Sequence, residues 1–139
     1  RGVLAGRWNG LRDDAGDDLI TVNDVPHDWL FPRMAAVVHH SGAGTTAATL
    51  RAGVPSINVP FFLDQPYWAH RVQSLGVGPA PIPMRQLNAE RLGEAIRAAI
   101  EDLPMRERCV ELAGRLAWDR DVDRAVAVVG SVIGEFSTR

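Results

Sequence analysis

This sequence predicts an α/β fold: a doubly wound parallel sheet with a helical C-terminal tail. Three observations carry the prediction. Apolar runs at Ala35–His39 and Ser56–Val59 show no polar alternation, as strands buried on both faces do. A helical pattern over Thr45–Ala52 lies between them, so strand, glycine turn, helix and strand follow in the order of a βαβ unit. From Asn88 onward, apolar residues recur at helical spacing.

The elements follow in order. Gly2–Ala5 is a short apolar run that reads as a buried strand, and "DDAGDD", Asp13–Asp18, is a polar turn. Leu19–Val22 is the next strand. "NDVPHDWLFP" carries two prolines, which restrict the residues before them and predict loop with one helical turn around Trp29. After the strand at Ala35–His39, the helix over 45–52 is stopped by Gly53 and kept stopped by Pro55. The strand at Ser56–Val59 opens on Ser56, and Asn58 is the polar exception within it.

A further helix is expected to start at Asp64, a suitable N-cap, with Pro66 tolerated in its first turn and Gly76 at its end. Trp68, Val72 and Leu75 share its apolar face. Asn88 caps a helix with Leu92, Ile96 and Ala99 on one side. Met105, Cys109, Leu112 and Leu116 repeat the pattern after Pro104, and Val122, Val126, Val129, Ile133 and Phe136 repeat it again. No internal repeat or low-complexity segment interrupts the 139 residues, which suit one domain with residues 104–139 belonging to it.

Composition narrows the function. A net charge of −2 supplies no basic surface for a phosphate backbone, so nucleic acid is not an expected partner. Cys109 is the only cysteine; it can form no internal disulfide and no zinc signature, which points to a reducing cytoplasm. Ala125–Gly134 is too short to span a bilayer. The N-terminal "RGVLAGRWNG" lacks the apolar core of a signal peptide, and a chain that starts without Met reads as part of a longer protein.

The most informative stretch is "VVHHSGAGTT". A helix start exposes unpaired N–H groups and the positive end of the helix dipole. Here it follows a buried strand, where α/β folds place ligands. Gly42 and Gly44 lack the Cβ atoms that hold a ligand away from the backbone, Thr45 and Thr46 bring hydroxyls, and His39 or His40 brings an imidazole. Donors without nearby carboxylates suit an anion such as a diphosphate. The competing reading is a tight turn with packed histidines. At the next strand-to-helix transition, Asp64 and Gln65 pair a carboxylate with an amide, which suits sugar hydroxyls; the competing reading is that Asp64 only caps its helix.

Together these motifs carry a resemblance. "VPHDWLFPRMAAVVHHSGAGTTAATLRAGVPSINVPFFLDQPYWAHRVQSLGVGPAPIP" resembles the C-terminal, donor-binding domain of family 1 GT-B glycosyltransferases, most of all the sterol glucosyltransferase-like and antibiotic-glycosyltransferase branches. The order is specific: a "VPH" loop, the "HH-x-GAGTT" turn, "AGVP", a "P-x-x-x-DQ" segment and "LGVG". It covers Val25 to Ile100.

The resemblance implies a Rossmann-like C-terminal half of a GT-B fold without its N-terminal part, residues 1–139 forming a partial donor-binding domain. It implies a hexosyltransferase that moves glucose from UDP-glucose to a hydroxyl of a lipophilic acceptor, with inversion. His40, Gly42, Gly44, Thr45 and Thr46 match the diphosphate site, Asp64 and Gln65 the sugar site. Val25, Pro26 and His27 match the loop under the nucleotide base, with Trp8 and Asn9 beside it. No cofactor and no metal are expected, since helix dipole and imidazole can stand in for a divalent ion. The catalytic base is expected in the N-terminal domain, so the isolated chain is expected to be inactive. Trp29 is read as a packing residue.

Three positions depart from the pattern. Ser41 stands where glycine is commoner, Ala48 where many relatives carry a ribose-binding glutamate, and Asp24 in the place of a tryptophan that stacks on uracil. Base and ribose recognition therefore differ from the plant pattern, with uridine the first expectation and thymidine the second. A GT-B-type sugar-nucleotide epimerase and a non-catalytic nucleotide-sugar-binding module are the alternatives.

Overall fold

A computed structural model of the chain describes residues 1–6, 18–117 and 126–131. Strands β1 (Gly2–Ala5) and β2 (Leu19–Val22) run parallel, with Gly2 opposite Leu19 and Ala5 opposite Val22. Helix α1 (His27–Leu30) continues into a 3₁₀ turn at Phe31–Arg33, the helical turn expected around Trp29. Strand β3 (Val37–His39), helix α2 (Ala43–Ala52) and strand β4 (Ser56–Asn58) form the βαβ unit. Helices α3 (Gln65–Ser74), α4 (Ala89–Glu101) and α5 (Leu103–Ala117) follow. Of the last predicted helix, residues 126–131 are described and are helical; the polar turn at 13–18 falls almost wholly outside the described residues.

Strand β3 pairs with β4 in parallel, with Val37 opposite Ser56, Val38 opposite Ile57 and His39 opposite Asn58. The register sorts side chains by face. Val37 packs with Leu30, Phe31 and Val54 and with Ala48 and Ala52 of α2. Ile57, pointing the other way, packs with Ile82 and with Ala95 and Ala99 of α4. Helices thus cover both faces of the sheet. A third cluster of Val72, Val77 and Cys109 joins α3 to α5, with Leu50 of α2 beside it. Ile57, Val72 and Val77 are at most 1% exposed, and each such side chain contributes about 1.5–3 kcal/mol by leaving water.

Among the described residues the strands form two hydrogen-bonded pairs, β1–β2 and β3–β4. Val3 of β1 meets the Val37 cluster through side chains. Beyond β4, Ser56 N donates to Val77 O at 3.0 Å and Ile82 N to Asn58 O at 2.9 Å, so the segment after α3 lines the sheet edge. Pro79, Pro81 and Pro83 have no N–H to donate, which keeps this segment from a regular ladder. Gly78 is required there, because a Cβ would lie 2.0 Å from Ser56 O.

Local signals set the helix ends. Asn88 Oδ1 accepts from Arg91 N at 2.9 Å, the expected cap of α4. Gly53, at φ 70°, ends α2 in the left-handed conformation. Helix α2 begins at Ala43, two residues earlier than its apolar pattern predicts, because the small residues Ala43 and Gly44 carry no periodicity. No described helix is long and apolar enough to cross a membrane.

Candidate functional site

Parallel pairing brings the C-terminal ends of β3 and β4 to one edge of the sheet, and two turns leave from it. The first runs through His40, Ser41 and Gly42 into α2. Gly42 is the N-cap residue, with φ −64° and ψ 144°, and no side chain caps the helix. Ala43 and Gly44 are exposed. The first turn of α2 therefore presents backbone N–H groups to solvent, at the end of a ten-residue dipole worth about half a positive charge.

The two glycines differ in what their missing Cβ leaves free. A Cβ on Gly42 would lie 2.5 Å from His40 Nε2, so the space above Gly42 belongs to the imidazole. A Cβ on Gly44 would meet nothing within 4 Å, which is room for a ligand against the backbone. His40 is exposed, and its ring centre lies 6.3 Å from that of Phe61 in the second turn. Thr45 is half-buried. Thr46 is only 2% exposed, and its Oγ1 has no hydrogen-bond partner among the described residues.

The second turn runs from Val59 to Asp64. Gln65 is 8% exposed, and its Oε1 accepts from Phe61 N at 2.8 Å and Phe62 N at 3.3 Å. The buried amide thus holds the loop, which includes Leu63 at φ 56°. Asp64 does not cap α3 with its side chain, as the sequence led us to expect. Its backbone already sits at φ −81°, ψ −8°, close to helical, and its Oδ2 accepts from Trp68 Nε1 at 2.8 Å. Phe61, Phe62, Leu63 and Tyr67 form an exposed apolar rim around this turn.

Beneath the first turn lies a chain of buried hydrogen bonds. Ser41 N donates to His39 Nδ1 at 3.0 Å, and His39 Nε2 lies 2.8 Å from Ser56 Oγ. Asn58 Oδ1 accepts from Ser41 Oγ at 2.9 Å and from Ser56 Oγ at 3.2 Å, while Asn58 Nδ2 donates to Ser56 O at 3.0 Å. Ser41, Ser56 and Asn58 are fully buried. Burial lowers the His39 pKa to about 4, helped by the neighbouring His40 and His27. Spacing alone does not separate the two histidines, and the resemblance singles out His40; in the structure His39 points into the fold and His40 out of it. Asn58, the polar exception in its strand, was the available signal for the buried chain.

The expected base loop is anchored beside α2. Val25 packs on the Leu30 cluster, and Pro26 O accepts from Trp29 N and Leu30 N. The His27 ring stacks on Phe31 with centroids 4.4 Å apart. Trp29 is not a packing residue. It is 55% exposed, with the Arg33 guanidinium 4.4 Å from its ring centre and donating to its carbonyl. Trp8 and Asn9 lie outside the described residues. A groove of about 630 Å³ opens elsewhere, lined by Met34, Val54, Pro55, Leu103 and Val110 among others; the "AGVP" segment borders it, and none of the expected diphosphate, sugar or base residues among the described ones does.

Comparison with known proteins places the chain in a family. The family described as "Erythromycin biosynthesis protein CIII-like, C-terminal domain" matches residues 9–124. The chain is 44% identical over 129 residues to sterol 3-beta-glucosyltransferase UGT80B1 of Arabidopsis thaliana, covering 91% of this chain and 21% of that protein. It is 41% identical over 112 residues to O-mycaminosyltylonolide 6-deoxyallosyltransferase of Streptomyces fradiae, covering 81% of this chain and 26% of that protein. The chain therefore spans about a fifth to a quarter of the length of these relatives. Among solved structures, glycosyltransferase VinC in complex with dTDP superposes with a TM-score of 0.74 at 28% identity, covering 86% of this chain and 31% of VinC. The glycosyltransferase of kitacinnamycin gives a TM-score of 0.75 at 28% identity, covering 83% and 30%. With its α/β architecture and its motif order, this chain belongs to the erythromycin biosynthesis protein CIII-like C-terminal domain family of GT-B glycosyltransferases.

Proposed function

We propose that this chain is the donor-binding part of an inverting glycosyltransferase that takes a hexose from a nucleoside-diphosphate sugar to a hydroxyl of a lipophilic acceptor. The observation that carries the reading is the uncapped start of α2, with the His40 imidazole over Gly42 and open space at Gly44. In this reading the N–H groups of α2, the Thr45 hydroxyl and His40 hold the diphosphate and stabilise the charge that grows on it as the glycosidic bond breaks. Donors fixed before the reaction need no reorganisation, and they fill the role a divalent ion would otherwise take. Gln65 acts from below the surface, reaching the sugar through its Nε2 while its Oε1 holds the loop, and the buried Thr46 hydroxyl, without a partner among the described residues, is left to the diphosphate.

Asp64 keeps Oδ1 for sugar hydroxyls, since the Trp68 bond uses Oδ2. The donor in this reading is UDP-glucose, supported by the sterol 3-beta-glucosyltransferase relatives. The dTDP bound to VinC makes the thymidine nucleotide the competing donor. The acceptor is a sterol or an antibiotic aglycone, bound by the part of the protein outside these residues together with the base that deprotonates its hydroxyl.

The test is an NMR titration of the protein with UDP, dTDP and their glucose conjugates. The reading predicts that the amides of Gly44 and Thr45 shift on adding a nucleotide, and that those of Asp64 and Gln65 shift only when the sugar is attached. Unmoved Gly44 and Thr45 amides at saturating nucleotide would refute it.

A further inference from the structure

Ser41 occupies a conformation its side chain disfavours. Its φ is 67°, in the left-handed region where a Cβ costs about 1–2 kcal/mol. The residue is also fully buried and directly precedes the N-cap of α2. Its conformation sets where Gly42 and the first N–H groups of α2 point. Strain at such a place persists only where the surroundings over-determine it.

The surroundings here are specific. Every partner in the buried chain has one consistent role. Ser41 N–H can only donate, so His39 Nδ1 must accept and carries no proton. His39 Nε2 then carries the proton and donates to Ser56 Oγ. The Ser56 and Ser41 hydroxyls donate to Asn58 Oδ1, and Asn58 Nδ2 donates to Ser56 O. One His39 tautomer satisfies all five bonds. The other would set two N–H groups against each other at Ser41. The chain ties both ends of the strained residue, its N–H through His39 and its hydroxyl through Asn58, to strand β4.

We infer that His39 is a positioning residue for the diphosphate site: through Ser41 N–H on one side and Ser56 and Asn58 on the other, it fixes the turn that aims His40 and the first amides of α2. This rests on the reading of that turn as the diphosphate site. Both ring nitrogens of His39 are engaged within the protein, by Ser41 N–H and Ser56 Oγ. Its imidazole points into the sheet, and the neighbouring His40 occupies the solvent side.

The test uses the full-length protein, calorimetry with UDP, and three variants. His39→Ala removes both bonds and should raise the dissociation constant about tenfold or more. His39→Asn places an amide oxygen near the position of Nδ1, restores the acceptor for Ser41 N–H and should recover most of the affinity. His39→Gln restores only the Ser56 side and should not. A residue that served only as core filling would give losses that follow stability and not this order. In parallel, nitrogen NMR of the wild type should show His39 with Nδ1 unprotonated and Nε2 protonated. A proton on Nδ1, or UDP affinity unchanged in all three variants, overturns the proposal while leaving the diphosphate reading intact. A wild-type protein that binds neither UDP nor dTDP overturns that reading, and the positioning role with it.

Discussion

The imidazole of His40 takes the space that a side chain on Gly42 would need: a Cβ there would lie 2.5 Å from His40 Nε2. The two residues are one steric unit. Gly42 is small so that His40 can lie across the mouth of the turn, and His40 lies there because the chain leaves β3 beneath it.

Gly42→Ala should therefore displace the imidazole and leave the fold in place, since the clashing atom belongs to an exposed, mobile-ended side chain. UDP affinity should fall about tenfold, or about 1.4 kcal/mol. Gly44→Ala meets no protein atom within 4 Å and replaces a helical glycine by alanine, so it should raise stability by up to about 1 kcal/mol. It should still weaken UDP binding, because its methyl fills the open space. Thermal melts and calorimetry on both variants check this pair; Gly44→Ala with unchanged affinity would place the ligand elsewhere.

Asp64 should matter for transfer and not for nucleotide binding. Asp64→Ala removes the bond to Trp68, which is exposed, so the stability loss should stay within about 1 kcal/mol. Transfer by the full-length protein should fall, while the affinity for UDP, which has no sugar hydroxyls, should hold. An equal fall in UDP affinity would make the Asp64–Trp68 pair a purely structural contact.

Gln65→Ala should act on the loop. It leaves the N–H groups of Phe61 and Phe62 without their buried acceptor, at a loss of about 1–3 kcal/mol by denaturant unfolding. Hydrogen exchange at those two amides should quicken. Exchange rates that stay at wild-type values would show that Gln65 does not hold the turn.

Stability should depend on pH through His39. Its pKa is about 4 in the fold against 6.5 for a solvent-exposed imidazole, because burial disfavours the imidazolium and His40 and His27 add like charge. Between those values the unfolded chain binds more protons than the folded one, so stability is lost as pH falls from 6.5 toward 4 and is flat above 6.5. The full loss is at most about 3.5 kcal/mol. His39→Asn, which does not titrate, should flatten the profile of midpoint against pH in that window; a profile identical to wild type would mean that His39 is not held neutral.

The sequence displays the parts of this fold that local chemistry decides. Asn88 caps α4 because its side chain can reach a backbone N–H three residues on, and Gly53 ends α2 because it tolerates a positive φ. Such signals need only their neighbours. The βαβ unit was legible from its apolar runs and its glycine turn, although the burial on both faces that such runs suggest holds for β4 and not for β3, where Val38 is 44% exposed. What sequence alone hid was tertiary. Whether His39 or His40 faces solvent depends on the pairing of His39 with Asn58 across the sheet, seventeen or more residues away. Asp64 looked like a cap, and Trp68 claims it because the preceding loop brings the chain into α3 already helical. Trp29 looked like core, and Arg33 covers its exposed ring.

The central claim is that the start of α2 and His40 hold the donor's diphosphate. Calorimetry of UDP binding to the full-length wild type and His40→Ala tests it most directly. The account predicts micromolar-to-millimolar binding by the wild type and a loss of about 1–3 kcal/mol in the variant, the range for a hydrogen bond to a charged group. Equal UDP affinity in the two proteins would contradict it.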